Sequence, residues 1–382
     1  MVDLLKKAIS IFLAALTAAS FSCPAGAETS PSVSAKSAVV ISAADGRALY
    51  EKNSHEKLPI ASTTKIMTAL LTLEAASRND RTVLITPEMV RVEGSSMGLK
   101  AGDKLTLTAL AEGMLSVSGN DAANSAAIAV GGSTERFAAL MNQKAAQLGL
   151  SETHYVTPSG LDNAEHYSSA GDLAKLTAAA LKNPEFARIV SQKKIRVRFS
   201  DPDRTVTYTN HNKLLSMYDG CNGVKTGFTK KSGRCLVSAA QRDGVQLVAV
   251  TLSDPNDWED HEKLLDYGFS RLTRFQADDS EFRLNLPVVG GNAGSVSVLG
   301  TAGAAALLPP DEVQNLRRTV ELPQFLYAPV KRGQILGLVR YQNETGTVST
   351  TKLLASGDVS RQAVKKNIFE KLWDRIRFLF SV

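Results

Sequence analysis

Ser62 and Lys65 are the residues of this chain whose spacing suits nucleophilic chemistry. An apolar run at helical spacing begins just after Ser62, and Pro59 lies just ahead of it, so both side chains are predicted on one face of a helix N-terminus. A serine hydroxyl is a weak nucleophile that needs a base within hydrogen-bond reach. A lysine amine is such a base when burial, a second cation or a positive helix end lowers its pKa. The pair therefore indicates a lysine-activated serine.

The spacing alone does not select this serine. Further Ser-x-x-Lys stretches begin at Ser54, Ser191 and Ser349, and the last repeats the letters Ser-Thr-Thr-Lys. A Gly-x-Ser-x-Gly pattern around Ser96 also matches a nucleophile elbow, but that motif must turn directly into a helix. Here it is followed by turn-like residues, so we reject it. The choice of Ser62 needs other motifs.

Two downstream motifs supply that choice. Ser118-Gly119-Asn120 and Lys225-Thr226-Gly227 complete the set found in penicillin-binding proteins and class A β-lactamases. With the flanks Asp121-Ala122-Ala123 and Phe228-Thr229, the chain resembles the low-molecular-weight serine-type D-alanyl-D-alanine carboxypeptidases, from about Ser37 to the C-terminus. Ser62 has both partner motifs downstream in the order of that family, whereas Ser191 and Ser349 do not.

The resemblance implies an α+β fold. We expect a β-lactamase/transpeptidase-like catalytic domain, with an antiparallel sheet and helices on both sides, then a small β-sandwich domain and a C-terminal amphipathic helix. The second domain is also indicated by short β-branched runs between Gly and Pro turns. The expected divisions are a signal peptide over 1–27, the peptidase domain over 28–275, the β-rich domain over 276–357 and the amphipathic helix over 358–382.

Both ends of the chain indicate export and attachment to a membrane. Lys6-Lys7, the apolar run Ala8 to Ala19 and Ala25-Gly26-Ala27 match the parts of a secretory signal. Near the C-terminus, seven large apolar residues fall on one helical stripe, and basic residues lie off it. Such a helix suits an anionic membrane surface, so we expect peripheral anchoring at the outer face of the cytoplasmic membrane. The alternative is a helix docked on the β-rich domain.

The resemblance also implies roles for the catalytic residues. Ser62 would attack the carbonyl between two D-alanines of a peptidoglycan stem peptide, and water would later release the shortened peptide. Lys65 would be the general base. Ser118 would relay a proton between the lysine amine and the leaving nitrogen, because a hydroxyl both donates and accepts. β-Lactams would be covalent inhibitors of the same serine.

Five further residues are expected to bind the substrate. Asn120 would donate its amide to a substrate carbonyl, and Lys225 would supply positive charge. Thr226 would bind the terminal carboxylate, and Gly227 would let the substrate lie along a strand edge. The backbone N–H of Phe228 would form an oxyanion hole with that of Ser62.

Recognition of the terminal carboxylate is left open by the sequence. Many family members carry an arginine ahead of their Leu-Leu-x-Tyr-Gly-Phe stretch, whereas this chain has Asn256-Asp257-Trp258 there. The carboxylate would therefore depend more on Lys225 and Thr226. Arg234 is an alternative partner.

Several other classes of function have little support. The net charge of +6 is diffuse, and no run pairs basic residues with stacking aromatics, so a nucleic-acid partner is not expected. The five histidines show no metal-ligand spacing, so neither a metal nor another cofactor is expected. In the hairpin predicted around Lys230-Lys231-Ser232-Gly233, Cys221 and Cys235 are far out of register. We therefore expect free thiols.

Three rival functions share parts of this pattern. A class A β-lactamase needs a deacylating Glu between the second and third motifs, whereas Glu281-Phe282-Arg283-Leu284-Asn285 lies after Lys225. A transpeptidase differs only in which acceptor takes the acyl group, and the sequence barely separates the two. A catalytically silent cell-wall binding protein is disfavoured by the intact motifs.

The serine assignment gives a first prediction. Ser62→Ala should abolish covalent labelling by penicillin, because the attacking oxygen is removed. Ser349→Ala and Ser96→Ala, at the competing patterns, are matched controls and should leave labelling intact. Gel fluorescence with a labelled penicillin measures this, and labelling that survives in Ser62→Ala would contradict the assignment.

Overall fold

A computed structural model describes residues 30–363 and Ile368. The predicted signal peptide over 1–27 lies outside the described residues. So does the predicted C-terminal helix beyond residue 363, apart from Ile368. No helix in the described part of the chain is long and apolar enough to cross a membrane.

The described chain alternates strands and helices through its first two thirds and is mainly strands thereafter. The strands are β1 Ser37–Ser42, β2 Ala48–Lys52, β3 Thr82–Leu84, β4 Lys104–Thr106, β5 Lys194–Ser200, β6 Asp203–Thr209, β7 Cys221–Thr229, β8 Gly233–Arg242, β9 Val245–Leu252, β10 Thr273–Asp278, β11 Arg283–Val289, β12 Ser295–Gly300, β13 Ala302–Leu308, β14 Arg317–Glu321, β15 Leu326–Tyr327, β16 Ile335–Asn343 and β17 Gly346–Ala355. The helices are α1 Lys65–Ala76, α2 Leu107–Ser116, α3 Asn120–Gly131, α4 Thr134–Gln147, α5 Ala170–Ala180, α6 Pro184–Val190, α7 Leu214–Met217, α8 Asp257–Arg271 and α9 Pro310–Gln314.

A five-stranded antiparallel sheet, in the order β2-β1-β9-β8-β7, forms the centre of the first part. Alternate residues of its strands enter two different cores. Val39 and Val250 face a core shared with α1 to α6, whereas Val40 and Ala249 face one shared with α8. The expected α+β arrangement, with helices on both sides of an antiparallel sheet, is confirmed.

Helix α1 lies inside the helical layer, and its sequence explains why. Nine of its twelve residues are buried, including Lys65, Ile66 and Leu70. A helix that is apolar on nearly every side cannot lie at a surface and must be surrounded by protein. Its buried hydroxyls are satisfied locally, since Thr68 donates to the Pro158 carbonyl and Thr72 donates to the Thr68 carbonyl. This packing carries Lys65 into the interior.

The β-rich part is built on a six-stranded sheet in the order β14-β16-β17-β12-β11-β15, with β10 and β13 paired as a separate ribbon. Its core is made of aliphatic residues such as Val298, Val339 and Leu353. A second, polar centre is the buried carboxylate of Asp279, which accepts hydrogen bonds from the side chains of Arg318, Tyr341 and Thr351. The predicted β domain is confirmed.

The sequence places Ser133 and Ser169 at the starts of predicted helices, and both helices are observed. Ser133 and Ser169 cap α4 and α5, each accepting a hydrogen bond from the backbone N–H three residues on. The hairpin of β7 and β8 pairs Lys225 with Val237 and turns at the predicted residues. Cys221 and Cys235 are free, as expected.

The sequence predicts a helix from Trp258 to Arg274, and the observed helix α8 ends earlier. It ends at Arg271, and β10 begins at Thr273, where alternating β-branched and aromatic residues favour a strand over another helical turn. This strand crosses the predicted domain boundary between 275 and 276. At the other predicted boundary, Val359 pairs with Val330, so the β structure continues past residue 357.

Gly160 is closely packed against the segment that carries Ser62. Its φ is +82°, and a Cβ there would lie 1.9 Å from the Ala61 carbonyl oxygen, beside Ser62. Gly149 also has a positive φ, +68°, but a Cβ there would meet nothing within 4 Å. A comparison of alanine substitutions at the two glycines therefore separates the effect of left-handed backbone strain from the effect of a steric clash.

Gly160→Ala should destabilise the protein by more than Gly149→Ala and should also slow penicillin labelling. Gly149→Ala carries only the left-handed strain, about 1 kcal/mol, and should label normally. Gly160→Ala must also push back the segment that carries Ser62. Urea unfolding together with labelling rates measures both effects, and equal behaviour of the two variants would contradict the close packing.

Candidate active site

A cleft of about 340 Å³ lies where strand β7 meets the short 3-10 turn Ala61–Thr64 ahead of α1. It brings together residues that are far apart in the sequence. Its lining residues are Ser62, Ser95, Ser118, His211, Lys213, Thr226, Gly227, Phe228, Arg234, Asp257 and Trp258. Five of the eight residues predicted for the site reach this cleft, while Lys65, Asn120 and Lys225 are buried and do not line it.

Ser62 and Lys65 are hydrogen-bonded to each other. The Lys65 Nζ lies 2.9 Å from the Ser62 Oγ and donates to the Ser159 carbonyl oxygen at 2.7 Å. Lys65 is 0% exposed, whereas Ser62 is half-buried and opens on the cleft. The amine is therefore held between the Ser62 hydroxyl and a fixed carbonyl, with no access to solvent.

The electrostatics of this pair favour a neutral amine. Burial lowers the pKa of Lys65 well below its usual value, and the Lys225 ammonium lowers it further, while the Asp121 carboxylate opposes both. Lys225 is itself fully buried, and desolvation lowers its pKa to about 7. Both cations are disfavoured because neither has solvent around it. The equilibrium of Lys65 is therefore shifted toward the neutral amine, the form that can accept a proton.

The loop that carries the Ser159 carbonyl is held by a buried histidine. The His166 Nδ1 accepts hydrogen bonds from the backbone N–H groups of Val156 and Thr157, at 3.0 and 3.2 Å. The proton must then be on Nε2, which lies 2.8 Å from the Thr64 Oγ1. Burial, followed by the charges of His154 and Lys65, lowers the pKa of His166 to about 4, so the ring is neutral. One imidazole thus links the loop to the turn that carries Ser62.

Ser118 lies opposite Ser62, on a loop under strain. Its φ is +60°, a left-handed conformation that persists only where the surroundings impose it. The next helix, α3, is fixed by Asp121, whose carboxylate accepts hydrogen bonds from the backbone N–H groups of Met97, Gly98 and Leu99. This holds the loop over 94–99 against the start of α3.

Part of the Asn120 amide is hydrogen-bonded within the protein. Its Nδ2 donates to the Glu93 carbonyl at 2.7 Å, and its Oδ1 is buried with no hydrogen-bond partner among the described residues. One N–H of the amide is therefore occupied within the protein. The second N–H and the Oδ1 are the groups left for another partner.

Strand β7 forms the opposite wall with its edge facing Ser62. A Cβ at Gly227 would lie 3.1 Å from both the Ile60 carbonyl oxygen and the Ser62 nitrogen, so glycine allows this close approach. Phe228 also lines the cleft and is 66% exposed. The Lys225 Nζ donates to the Thr226 carbonyl at 2.8 Å and is 1% exposed.

A guanidinium from the neighbouring strand β8 also lines the cleft. Arg234 donates from Nε and Nη2 to one oxygen of Asp257, at 2.9 and 2.7 Å. The Asp257 side chain is 4% exposed, whereas that of Arg234 is 42% exposed. The Trp258 ring lies 5.6 Å from the guanidinium carbon. The buried carboxylate fixes a cation whose remaining N–H groups face the cleft.

Sequence reasoning missed several of these features. The Ser159 carbonyl and the three amides on Asp121 are backbone groups, so no residue type announces them. His166 was visible as a histidine but had no recognisable partner, because Thr64 lies about a hundred residues away. The pairing of Arg234 with Asp257 could have been suspected only from the absence of the usual arginine.

The comparisons with known proteins identify the family. The profile described as D-alanyl-D-alanine carboxypeptidase, peptidase family S11, matches residues 25–256, more than half of the chain. The chain belongs to the D-alanyl-D-alanine carboxypeptidases. A second profile, penicillin-binding protein 5, C-terminal domain, matches residues 269–361.

The sequences of individual relatives align with this carboxypeptidase over most of its length. It is 30% identical to D-alanyl-D-alanine carboxypeptidase DacF of Bacillus subtilis, over 92% of this chain and 93% of that protein. Identity to DacC of Escherichia coli is 31%, over 92% of this chain and 89% of that protein.

Solved structures agree on the fold. DacD from Francisella tularensis has a TM-score of 0.63 and 27% identity, covering 87% of this chain and 95% of that one. The Streptomyces K15 DD-transpeptidase has a TM-score of 0.60 and 34% identity, covering 63% of this chain and 99% of that one.

The carboxypeptidase therefore hydrolyses the terminal D-Ala-D-Ala bond of peptidoglycan peptides by a serine-type mechanism. The names of the relatives favour this activity over the β-lactamase, transpeptidase and silent binding alternatives. Binding of β-lactams is consistent with a penicillin-binding protein. Because peptidoglycan lies outside the cytoplasmic membrane, the enzyme acts as an exported protein.

The electrostatics of the lysine pair give a testable pH dependence. The neutral Lys65 population rises as pH passes upward through its pKa, so a lower pKa extends activity to lower pH. Lys225→Met removes a cation that lowers this pKa, so the acid limb of penicillin acylation should move to higher pH. Lys213→Met is the control, because Lys213 lines the same cleft but does not perturb Lys65. An unmoved acid limb in Lys225→Met would contradict the coupling.

Proposed function

We propose that Ser62 is the nucleophile of this carboxypeptidase and that Lys65 is its general base. The observation that carries this is the buried Lys65 amine, 2.9 Å from the Ser62 hydroxyl. The neutral amine takes the hydroxyl proton as Ser62 attacks the D-Ala-D-Ala carbonyl carbon. The Ser159 carbonyl then accepts from the ammonium that forms, which stabilises it without solvent.

Ser118 completes the proton path. The leaving D-alanine nitrogen needs a proton, and the Ser118 hydroxyl can donate one while it accepts from the Lys65 ammonium. Its position on the cleft wall supports this role. Asn120 donates its second N–H to a substrate carbonyl. Water then attacks the acyl-enzyme, and Lys65 again accepts the proton.

The oxyanion formed in each tetrahedral intermediate is bound by the backbone N–H groups of Ser62 and Phe228. Two fixed donors at a developing negative charge stabilise the transition state more than the substrate. The narrow gap at Gly227 supports this arrangement, since it brings the edge of β7 close to the Ser62 nitrogen. Thr226 offers its hydroxyl to the substrate from the same strand edge.

The terminal carboxylate of the substrate binds to Arg234. Lys225 is a weak candidate, because it is buried, donates to the Thr226 carbonyl and has a pKa lowered to about 7. A guanidinium stays charged at every working pH. Asp257 holds Arg234 through two N–H groups and leaves others for the substrate. Lys225 then acts mainly by lowering the pKa of Lys65.

Arg234→Leu should lower kcat/KM for D-alanine release from a D-Ala-D-Ala peptide by roughly 10- to 100-fold, the equivalent of one hydrogen bond between charged groups, about 1.5–3 kcal/mol. The same peptide ending in an amide should be affected little, since it has no carboxylate. Lys213→Met, another cation of the cleft, should leave the ratio of the two substrates unchanged. A retained preference for the free carboxylate in Arg234→Leu would assign recognition to Lys225 and Thr226.

Export and anchoring are also proposed. A signal peptide over 1–27 directs the chain out of the cytoplasm, and the basic amphipathic segment near the C-terminus holds it on an anionic membrane surface. The peptidase domain then extends to Leu272, because β10 begins at Thr273 and pairs with β13. The β domain continues to about Gln362, which donates to the Gly290 carbonyl.

Truncation after Ala363 tests the anchor. The shortened enzyme should stop sedimenting with anionic vesicles and keep its D-alanine release on a small peptide, because every described element of the fold up to that point is retained. Binding of the full chain should weaken as salt screens the charges. A truncated enzyme that melts much earlier would instead show that the segment is part of the folded body.

A further inference from the structure

The outer edge of the β domain carries an exposed apolar surface. Pro287 and Val289 of β11 and the residues Phe325 and Tyr327 around β15 point outward there, and we call these four residues the edge face. Val289 is 50% exposed, Phe325 45% and Tyr327 70%. Their neighbours Leu286, Val288, Leu326 and Ala328 belong to the core of the domain.

The pairing of the two strands makes this one continuous surface. Strand β15 runs parallel to β11, with Tyr327 opposite Val289, so the outward side chains of the two strands lie side by side. The rings of Phe325 and Tyr327 are 5.4 Å apart in an edge-to-face arrangement. Two aromatic rings standing on a sheet edge, with solvent on their outer side, resemble the interfacial aromatic residues of membrane proteins.

The chain leaves the β domain beside this surface. The backbone N–H of Gln362 donates to the Gly290 carbonyl at 2.9 Å, one residue beyond Val289, and Arg361 forms a bridge with Gly291. The sequence that follows, from residue 364, is the basic segment rich in large apolar residues that is proposed as the anchor. The edge face therefore lies beside the point at which the proposed anchor segment begins.

The charges beside this exit are mainly positive. Arg361 is exposed there, and Lys365 and Lys366 follow in the sequence. Asp358, which precedes Arg361 in the sequence, accepts a hydrogen bond from the backbone N–H of Arg332. Basic residues beside aromatic rings suit anionic lipid headgroups.

We propose that the edge face lies in the headgroup region of an anionic membrane and is a second contact beside the C-terminal segment. The proposal rests on the anchoring proposed above. Two contacts from adjacent points of one rigid domain restrict its tilt on the membrane, whereas a single flexible attachment does not. The β domain would then hold the peptidase cleft in a defined orientation above the lipid surface.

The test compares Phe325→Ser/Tyr327→Ser with the unchanged chain on vesicles of phosphatidylglycerol and phosphatidylcholine. Both side chains are exposed, so the fold should persist, as a melting curve would check. Vesicle partitioning should weaken about tenfold, while D-alanine release from a soluble peptide stays unchanged. The matched control is Leu84→Ser/Leu140→Ser, which removes two exposed leucines of the peptidase domain and should not alter partitioning.

A direct readout is the fluorescence of Tyr327→Trp. Lipids with brominated acyl chains should quench the added tryptophan emission beyond the quenching of the unchanged chain. Vesicle binding that is unaltered in Phe325→Ser/Tyr327→Ser, with no added quenching, would overturn the edge face and leave the anchor intact. A full chain that does not bind vesicles at all would overturn both. Loss of a dimer in the double variant, without loss of vesicle binding, would assign the face to a second copy of the chain.

Discussion

The rest of the structure depends on one constraint, which is that water is excluded from the Lys65 side-chain amine. Moving a charged ammonium out of water is strongly unfavourable unless it is paired, so the buried Lys65 is stable mainly as a neutral amine. A neutral amine beside the Ser62 hydroxyl suits the role of general base that we propose for Lys65. The apolar packing around α1 therefore does more than stabilise the fold, because it sets the protonation state of the reacting pair.

Several separate parts of the chain meet to maintain this condition. The loop around Ser159 covers the amine and supplies a carbonyl acceptor, and His166 holds that loop through two backbone N–H groups. The edge of β7 closes the other side, and a Cβ at Gly227 would lie only 3.1 Å from the Ser62 nitrogen. Each contact joins segments that are distant in the sequence, so the site exists only in the folded protein.

The two domains divide the work of the enzyme. The peptidase domain carries the buried pair and the cleft, whereas the β domain is built around its own aliphatic core and the polar centre at Asp279. The exposed aromatic rings of the β domain lie at its edge, beside the exit of the basic C-terminal segment. Under the anchoring proposed above, substitutions in the two domains should alter catalysis and membrane attachment separately.

The sequence by itself determined the reaction class and much of the fold. Ser62, Lys65, Ser118 and Lys225 stand in ordered motifs, and helix caps such as Ser133 act over three residues. Local patterns of this kind are readable because the interacting groups are close in the chain. The hairpin of β7 and β8 and the change to a β-rich domain were readable for the same reason.

The tertiary structure decided what surrounds those residues. The depth of burial of Lys65, the carbonyl of Ser159, the tautomer of His166 and the pairing of Arg234 with Asp257 depend on packing between distant segments. The end of α8 at Arg271 was also decided by pairing, because β10 finds its partner in β13, some thirty residues on. A pKa or a hydrogen bond of this kind has no local sequence pattern, since burial is a property of the whole fold.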